Sequence, residues 1–172
     1  RGPARAGTIG GMHVPRRITV ERNRLRFAAA HMATFGGDCE PLHGHNYDVL
    51  IEIEGDLTGD RWVWDFGQVK RAAHAIAGEL DHKFLLQRES GLLSMEESEA
   101  AWTIRFGGRS YVFPRSDVLP LPIENTTAEC ISEWFAGRLL DALREQGASQ
   151  IRRLTVGIEE MPGQAGWYTL DL

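Results

Sequence analysis

Two short motifs organise this sequence, Phe27-Ala-Ala-Ala-His31 and Leu42-His43-Gly-His45-Asn-Tyr47. His43 and His45 open a run from Tyr47 to Glu54 in which polar and apolar residues alternate, and such alternation predicts a β-strand. Because residues two apart in a strand point to the same face, we expect the two imidazoles to lie side by side. His31 ends another apolar run and can approach as a third ligand across a hairpin. Three nitrogen ligands with a fourth position free are typical of catalytic zinc.

The residues alone leave other interpretations of the histidine cluster open. The spacing of His43 and His45 can arise by chance, and Cys39 could complete a closed structural zinc site. His13 and His74 stand apart from the cluster and are expected to be ordinary surface or core residues.

Further motifs in the sequence narrow these interpretations. They are Cys39 four residues before His43, Trp64-Asp-Phe66, Leu80-Asp-His82, Glu124-Asn-Thr-Thr-Ala-Glu129, and Ile158-Glu-Glu160 with Tyr168. In type and order they resemble the 6-pyruvoyltetrahydropterin synthase / 6-carboxytetrahydropterin synthase family. The resemblance covers about residues 18–87 and 122–170.

Hydrophobic periodicity and capping residues predict the secondary structure. The predicted elements are one strand or two over 18–31, interrupted at 22–24, a strand at 42–55, a helix from the cap Asp65 to Leu80, a hairpin near residues 100–114 around Gly107-Gly108, a helix from the cap Thr127 to Glu145, and strands at 151–160 and 167–172. This order indicates an α+β fold with an antiparallel four-stranded sheet and two helices on one face. The resemblance implies the tunnelling fold (T-fold), to which the hairpin would be an insertion. We expect residues 1–13 to form a flexible arm and 14–172 a single domain.

Composition excludes several classes of partner. The chain has 172 residues and a formal net charge of −5, which disfavours non-specific binding to nucleic acid. No apolar run approaches the roughly 18 residues that a membrane-spanning helix needs. Two cysteines allow at most one disulfide, so we expect a reducing, cytoplasmic location.

The resemblance implies an activity and a cofactor. His31, His43 and His45 would bind Zn²⁺ in a lyase that converts 7,8-dihydroneopterin triphosphate to 6-carboxy-5,6,7,8-tetrahydropterin, releasing acetaldehyde and triphosphate. The spacing between Cys39 and His43 resembles this carboxy-forming branch, an early step toward 7-deazaguanine nucleosides such as queuosine. The alternatives are a 6-pyruvoyltetrahydropterin synthase, a non-catalytic pterin-binding protein and a zinc hydrolase.

The same resemblance assigns proton transfer to three residues. Cys39 would be the base, and its loop, which contains Gly36 and Gly37, argues against burial in the core. Asp81 and His82 would form a relay in which the carboxylate orients the imidazole, provided that a turn at the helix end brings them together.

Glu160 is the predicted anchor of the pterin, because a carboxylate can accept two parallel hydrogen bonds from the ring. Strand alternation places Glu160 on the apolar side and Glu159 on the opposite, solvated face. Thr127 and Ala128 match the segment that lines the family's pterin pocket. Thr126 stands where the family commonly has proline, a change expected to matter little. Candidate cations for the triphosphate are Lys83 and, less clearly placed, Arg24 or Arg26.

The expected assembly is a closed homohexamer, a dimer of trimers, with active sites at subunit interfaces. The resemblance implies this assembly, and an open sheet with two unpaired edges favours closure by partners.

Overall fold

The computed structural model describes residues 15–20 and 25–172, so the predicted arm and the predicted interruption at 22–24 lie outside the described part. Its strands are β1 Arg16–Val20, β2 Arg26–His31, β3 Thr34–Phe35, β4 Asp38–Cys39, β5 His43–Gly55, β6 Lys83–Gln87, β7 Ser94–Glu97, β8 Ala101–Phe106, β9 Arg109–Pro114, β10 Val118–Leu121, β11 Ile151–Met161 and β12 Gln164–Asp171. Its helices are α1 Phe66–Leu80 and α2 Ala128–Glu145, and a single 3₁₀ turn spans Arg115–Asp117.

The main sheet is built around the long strand β5. Over the described residues its strand order is β10-β6-β2-β5-β11-β12, and β1 also pairs with β5. One edge of β5 pairs with β2 over residues 43–48 and with β1 over residues 51–55, while β11 lies along its other edge. These pairings are antiparallel, as predicted, and so is that of β11 with β12. These partners satisfy the backbone N–H and C=O groups along both edges of β5.

The predicted four-stranded antiparallel sheet is wrong in two respects. Within residues 15–20 and 25–172 the sheet contains seven strands, and β6 pairs in parallel with both β2 and β10. Strand β6 carries no polar–apolar alternation because it is covered on both sides: Leu85 packs in the main core, whereas Phe84 and Leu86 pack in a second apolar cluster. Continuous apolar runs are typical of strands buried on both faces.

Both helices begin and end close to the predicted residues. The carboxylate of Asp65 accepts a hydrogen bond from the Gln68 amide at 2.7 Å, and Thr127 caps α2 through the Cys130 amide. The helices contact each other and contribute buried side chains to one core with the apolar face of the sheet, including Leu80 and Phe135. Neither helix is long and apolar enough to cross a membrane.

The predicted hairpin is confirmed as β8 and β9, joined at Gly107-Gly108, and β7 adds a third strand to it. We call this separate sheet, residues 94–114, the accessory sheet. Trp102 and Ile104 project from it into the second apolar cluster, whose other members are Met32, Cys39, Phe84, Leu86, Leu93 and Val118. The accessory sheet is therefore seated beside the loop that carries Cys39.

The close packing of β12 on α2 generates a testable prediction about stability. A Cβ at Gly166 would lie 2.4 Å from the Glu129 amide nitrogen, and this backbone contact cannot relax by a rotamer change. We expect Gly166→Ala to lower the free energy of unfolding by about 2 kcal/mol or more, in the range of an overpacked core.

The matched control is Gly137→Ala in α2, where nothing lies within 4 Å of the added Cβ. It should raise stability by up to about 1 kcal/mol, because alanine favours the helix. Urea unfolding followed by circular dichroism measures both variants, and equal effects would contradict the close contact at Gly166.

Candidate metal centre and active site

Strand pairing brings the three predicted histidines together. His31 at the end of β2 lies opposite His43 at the start of β5, and His45 is opposite Ala29 in the same ladder. The ring centroids are 4.5 Å apart for His31 and His43, 5.4 Å for His31 and His45, and 5.1 Å for His43 and His45. One ring nitrogen from each residue lies within 4.8 Å of the others. This separation suits three ligands around a single metal ion.

Hydrogen bonds to backbone carbonyls select the ring nitrogens that are left to bind a metal. Nδ1 of His31 lies 2.8 Å from the Thr126 carbonyl oxygen, and Nδ1 of His43 lies 2.8 Å from that of Pro41. Each Nδ1 must carry the proton that it donates, so each Nε2 keeps a free lone pair. Nε2 of His31 is buried and has no hydrogen-bond partner in the protein. A metal ion would satisfy that lone pair, so these residues fit a bound cation.

Burial also sets the charge of His31. It lowers the pKa of His31 to about 4, so the imidazole is neutral at pH 7. The neutral ring is the form that binds metal.

A buried polar network supports the carbonyl that orients His31, and sequence reasoning missed it. The Thr126 hydroxyl lies 3.2 Å from Oε1 of Gln87, and Nε2 of Gln87 donates to the Met32 carbonyl at 2.9 Å. Gln87 and Thr126 are both fully buried. Threonine at position 126 supplies a hydroxyl for this bond, which the proline expected there from the resemblance could not do.

The histidines open into a cavity of about 440 Å³. Its lining includes the predicted pterin-binding residues Glu160, Thr127 and Ala128, together with Glu40 and Glu129. Burial raises the pKa of the Glu160 carboxyl, and the nearby imidazoles of His45 and His43 oppose that rise. No lysine or arginine lines this cavity among the described residues.

Glu159 is not solvated, although strand alternation predicts it to be. The side chain is buried, and Oε1 accepts a hydrogen bond from the Gly163 amide at 2.8 Å, across the turn between β11 and β12. The expectation that Glu159 is solvated is therefore wrong. Glu159 keeps its regular pairing with Ala165 and Asp48, so its burial comes from the hydrogen bond to the turn and not from the register shift that follows it.

Cys39 is buried, with 4% of its surface exposed, contrary to the inference from its glycine-containing loop. It packs in the second apolar cluster under the accessory sheet and is not among the residues that line the histidine cavity. Burial raises the pKa of the Cys39 thiol, and the positive charge of Arg109 opposes that rise. Within one chain, the thiol is therefore neither exposed nor activated.

Glu40 is a candidate that sequence reasoning missed. Its carboxylate lines the histidine cavity, is 52% exposed, and places Oε2 3.7 Å from Nε2 of His43. The available signal was its position three residues before His43, next to the cysteine that drew attention instead.

Asp81 and His82 form the predicted pair at the end of α1. Oδ2 of Asp81 lies 2.9 Å from Nδ1 of His82, and Oδ1 of Asp81 accepts the Ala28 amide at 2.7 Å. The Ala28 amide is the main reason why the pKa of Asp81 is below its ordinary value. His82 adopts a left-handed backbone conformation with φ of 58°, which makes the sharp turn that the pairing requires.

His82 faces a different cavity from the one that contains His31. His82 and Lys83 line a space of about 520 Å³ that also exposes His45, and Asp117 borders it. Nζ of Lys83 donates to the Ser116 carbonyl at 2.5 Å. Of the other candidate cations, Arg26 is paired with Asp48, and Arg24 lies outside the described residues.

Comparisons with known proteins identify the family of this chain. The model of the 6-pyruvoyl tetrahydropterin synthase family matches residues 19–171. A Methanocaldococcus jannaschii protein provisionally named 6-carboxy-5,6,7,8-tetrahydropterin synthase is 34% identical over 145 residues, which cover 84% of this chain and 89% of that protein.

Solved structures are similar as well. The 6-pyruvoyl tetrahydropterin synthase of Plasmodium vivax superposes with a TM-score of 0.86 at 28% identity, covering 92% of this chain and 99% of that one. A variant of the P. vivax enzyme in which a catalytic glutamate is replaced by alanine gives the same TM-score and coverage at 27% identity.

The histidine geometry predicts how zinc content responds to substitution. We expect His31→Ala, His43→Ala and His45→Ala each to lose most bound zinc, because two remaining nitrogens rarely hold Zn²⁺ against exchange. His74→Ala, at an exposed position in α1, is the control and should keep the wild-type zinc content. Elemental analysis of the dialysed proteins measures this, and full zinc occupancy in all three variants would contradict the site.

Proposed function

The chain belongs to the 6-pyruvoyl tetrahydropterin synthase family, and from that premise we propose that it is a zinc-dependent 6-carboxytetrahydropterin synthase. Its substrate would be 7,8-dihydroneopterin triphosphate, and its products 6-carboxy-5,6,7,8-tetrahydropterin, acetaldehyde and triphosphate. The observation that carries the proposal is the cluster of three imidazoles, one of which is buried with its Nε2 unpartnered. The name of the M. jannaschii relative supports the carboxy product.

The three histidines would hold the zinc through their free ring nitrogens. Bound there, Zn²⁺ would supply Lewis acidity toward an oxygen of the substrate side chain. The carbonyls of Thr126 and Pro41 keep two of the rings in the tautomer that binding requires. Gln87 and Thr126 are buried and hydrogen-bonded to each other, so they limit movement of the carbonyl beneath His31.

Glu160 would orient the pterin in the cavity. Its carboxylate can accept two parallel hydrogen bonds from a ring N–H and the exocyclic amine. Thr127 and Ala128 lie at the N-terminus of α2 on the same cavity wall and would border the ring. A partly buried anchor is favourable because water competes less for its hydrogen bonds.

Proton transfer beside the histidines has two candidates in this chain. The family resemblance supports Cys39, whereas the geometry favours the carboxylate of Glu40, which already faces the cavity. The catalytic glutamate of the P. vivax enzyme shows that a carboxylate serves a related active site. We propose that Glu40 shares acid–base work with Cys39, which would need a local movement to expose its thiol.

Assembly would complete the site. His82 lines one cavity of the chain and the histidine trio opens into another, so the relay of one subunit could serve the pocket of its neighbour. Lys83 would enter the pocket of the neighbouring subunit together with His82. It would bring the positive charge that the triphosphate needs and that the acidic histidine cavity lacks. This arrangement supports the proposed homohexamer.

The function is tested by incubating the purified protein with 7,8-dihydroneopterin triphosphate and identifying the pterin product and acetaldehyde. A second candidate is formation of 6-pyruvoyltetrahydropterin, favoured by the match to the P. vivax structure. That reaction eliminates triphosphate without releasing acetaldehyde. Recovery of unchanged substrate would contradict both.

The two acid–base candidates are separated by Cys39→Ala and Glu40→Gln. We expect each to lower kcat by about 100-fold while zinc content stays constant, since a positioned acid or base contributes about 10²–10⁴-fold. Steady-state kinetics with zinc analysis measures this. Normal turnover by Cys39→Ala would identify Glu40 as the base. Normal turnover by Glu40→Gln would identify Cys39. Loss of zinc from Cys39→Ala would instead identify the thiol as a ligand.

The two glutamates of β11 predict opposite phenotypes. Glu160→Ala should weaken pterin binding by about 1.5–3 kcal/mol, the scale of hydrogen bonds to a charged group. Glu159→Ala should leave pterin affinity unchanged but lower the free energy of unfolding by about 1–2 kcal/mol, because it removes the acceptor of the Gly163 amide. Fluorescence titration with a pterin and urea unfolding measure the two effects. If Glu159→Ala weakens pterin binding and Glu160→Ala does not, Glu159 is the anchor.

The proposed assembly is checked by light scattering at micromolar concentration, where a mass of about six chains is expected for a closed dimer of trimers. A monomer that retains full activity would contradict a site shared between subunits.

A further inference from the structure

The side chain of Arg109 joins the accessory sheet to the backbone of the proposed acid–base residues. Nη1 donates to the Glu40 carbonyl oxygen at 3.1 Å, and Nη2 donates to the carbonyl oxygen of Cys39. These partners are about 70 residues away along the chain. One planar guanidinium therefore holds two consecutive carbonyls, a contact that fixes direction as well as distance.

Arg109 is itself firmly supported. It is the first residue of β9, directly after the tight turn at Gly107-Gly108, where Gly107 has φ of 56°. The ring of Phe106, its partner in the ladder, lies 5.4 Å from the guanidinium carbon. The sheet beneath it is anchored by Trp102 and Ile104, which are 2% and 0% exposed. Arg109 therefore projects from a well-packed sheet, which limits its movement.

The segment that Arg109 contacts has few backbone hydrogen bonds of its own and is held mainly by contacts from other elements. These include the packing of Cys39 in the second apolar cluster and the hydrogen bonds of Asn125 to Thr34. It forms one side of a hairpin in which β3 and β4 have only two residues each, and Gly36 and Gly37 make the turn. Outside this ladder, the Glu40 amide donates to the Ala33 carbonyl at 2.9 Å. Two-stranded ribbons this short are marginal in water, so contacts from outside decide their position.

We propose that Arg109 is a positioning residue: by holding the backbone of residues 39 and 40 it keeps the Glu40 carboxylate beside the three histidines. The accessory sheet then has a role in the active site although none of its residues reaches the histidine cavity. The inference rests on the proposed function, because it assumes that Glu40 transfers protons.

The test compares Arg109→Gln and Arg109→Lys with the control Arg105→Gln. Arg105 lies in β8 of the same sheet and pairs with Glu96 at 3.0 Å on the surface, so its loss removes an equal charge without touching the segment. For Arg109→Gln we expect kcat to fall about 10- to 100-fold, the scale of a small misplacement of reacting groups. Its KM should stay within about twofold, because substrate-binding residues are not moved. Zinc content should not change.

A second measurement reports the position of the segment without catalysis. The chain has two cysteines, so in a Cys130→Ser background the rate of reaction with a thiol reagent measures exposure of Cys39 alone. Arg109→Gln should raise that rate about tenfold, since loss of hydrogen bonds to a charged group favours local opening. Arg109→Lys, which keeps the charge but lacks the fork, should be intermediate in both measurements. Arg105→Gln should match the parent protein in both.

These two measurements separate the inference from the proposed function. If the parent protein does not turn over the pterin but Arg109→Gln still exposes Cys39, the proposed function fails and the positioning contact stands. If Arg109→Gln reacts with the thiol reagent no faster than Arg105→Gln, the positioning role is wrong, whatever happens to kcat. A fall in kcat that Arg109→Lys fully restores would also overturn it, because charge alone would then suffice.

Discussion

The antiparallel pairing of β2 with β5 is the constraint on which the site depends. It sets His31 opposite His43 and Ala29 opposite His45, so that three imidazoles converge at one end of a two-strand ladder. The same register stacks Phe27 on Tyr47, with ring centroids 4.7 Å apart, directly beneath the histidines. A slip of one residue would turn every one of these side chains to the other face. Core packing and ligand geometry are thus specified by the same hydrogen bonds.

This coupling explains why much of the site could be predicted from sequence. Alternation along β5 is a local signal, and residues 43 and 45 share a face in any strand. The capping of α1 by Asp65 and the turn before His82 are also local, so the pairing of Asp81 with His82 followed from the position of the helix end. The placement of Glu160 on the same side as the histidine cavity likewise followed from strand parity.

Features that depend on distant packing could not be predicted in this way. Cys39 is buried because the accessory sheet covers its loop, and nothing near residue 39 signals that cover. Strand β6 was missed because it has apolar neighbours on both faces and therefore no alternation. Glu159 is buried with its carboxylate bonded to the Gly163 amide of the following turn, a contact that strand alternation cannot show. Each error lies where tertiary contacts override a local pattern.

The backbone at His82 has a consequence for how this protein can change. A non-glycine residue with φ of 58° is held in a conformation that costs about 1–2 kcal/mol for most side chains, and glycine would adopt it without strain. Glycine at that position would relieve the turn yet remove the imidazole paired with Asp81. At position 82, selection for thermal stability would therefore favour glycine, whereas selection for the proton relay would favour histidine. If close descendants of this chain keep histidine at position 82, selection for the proton relay has outweighed selection for a less strained backbone.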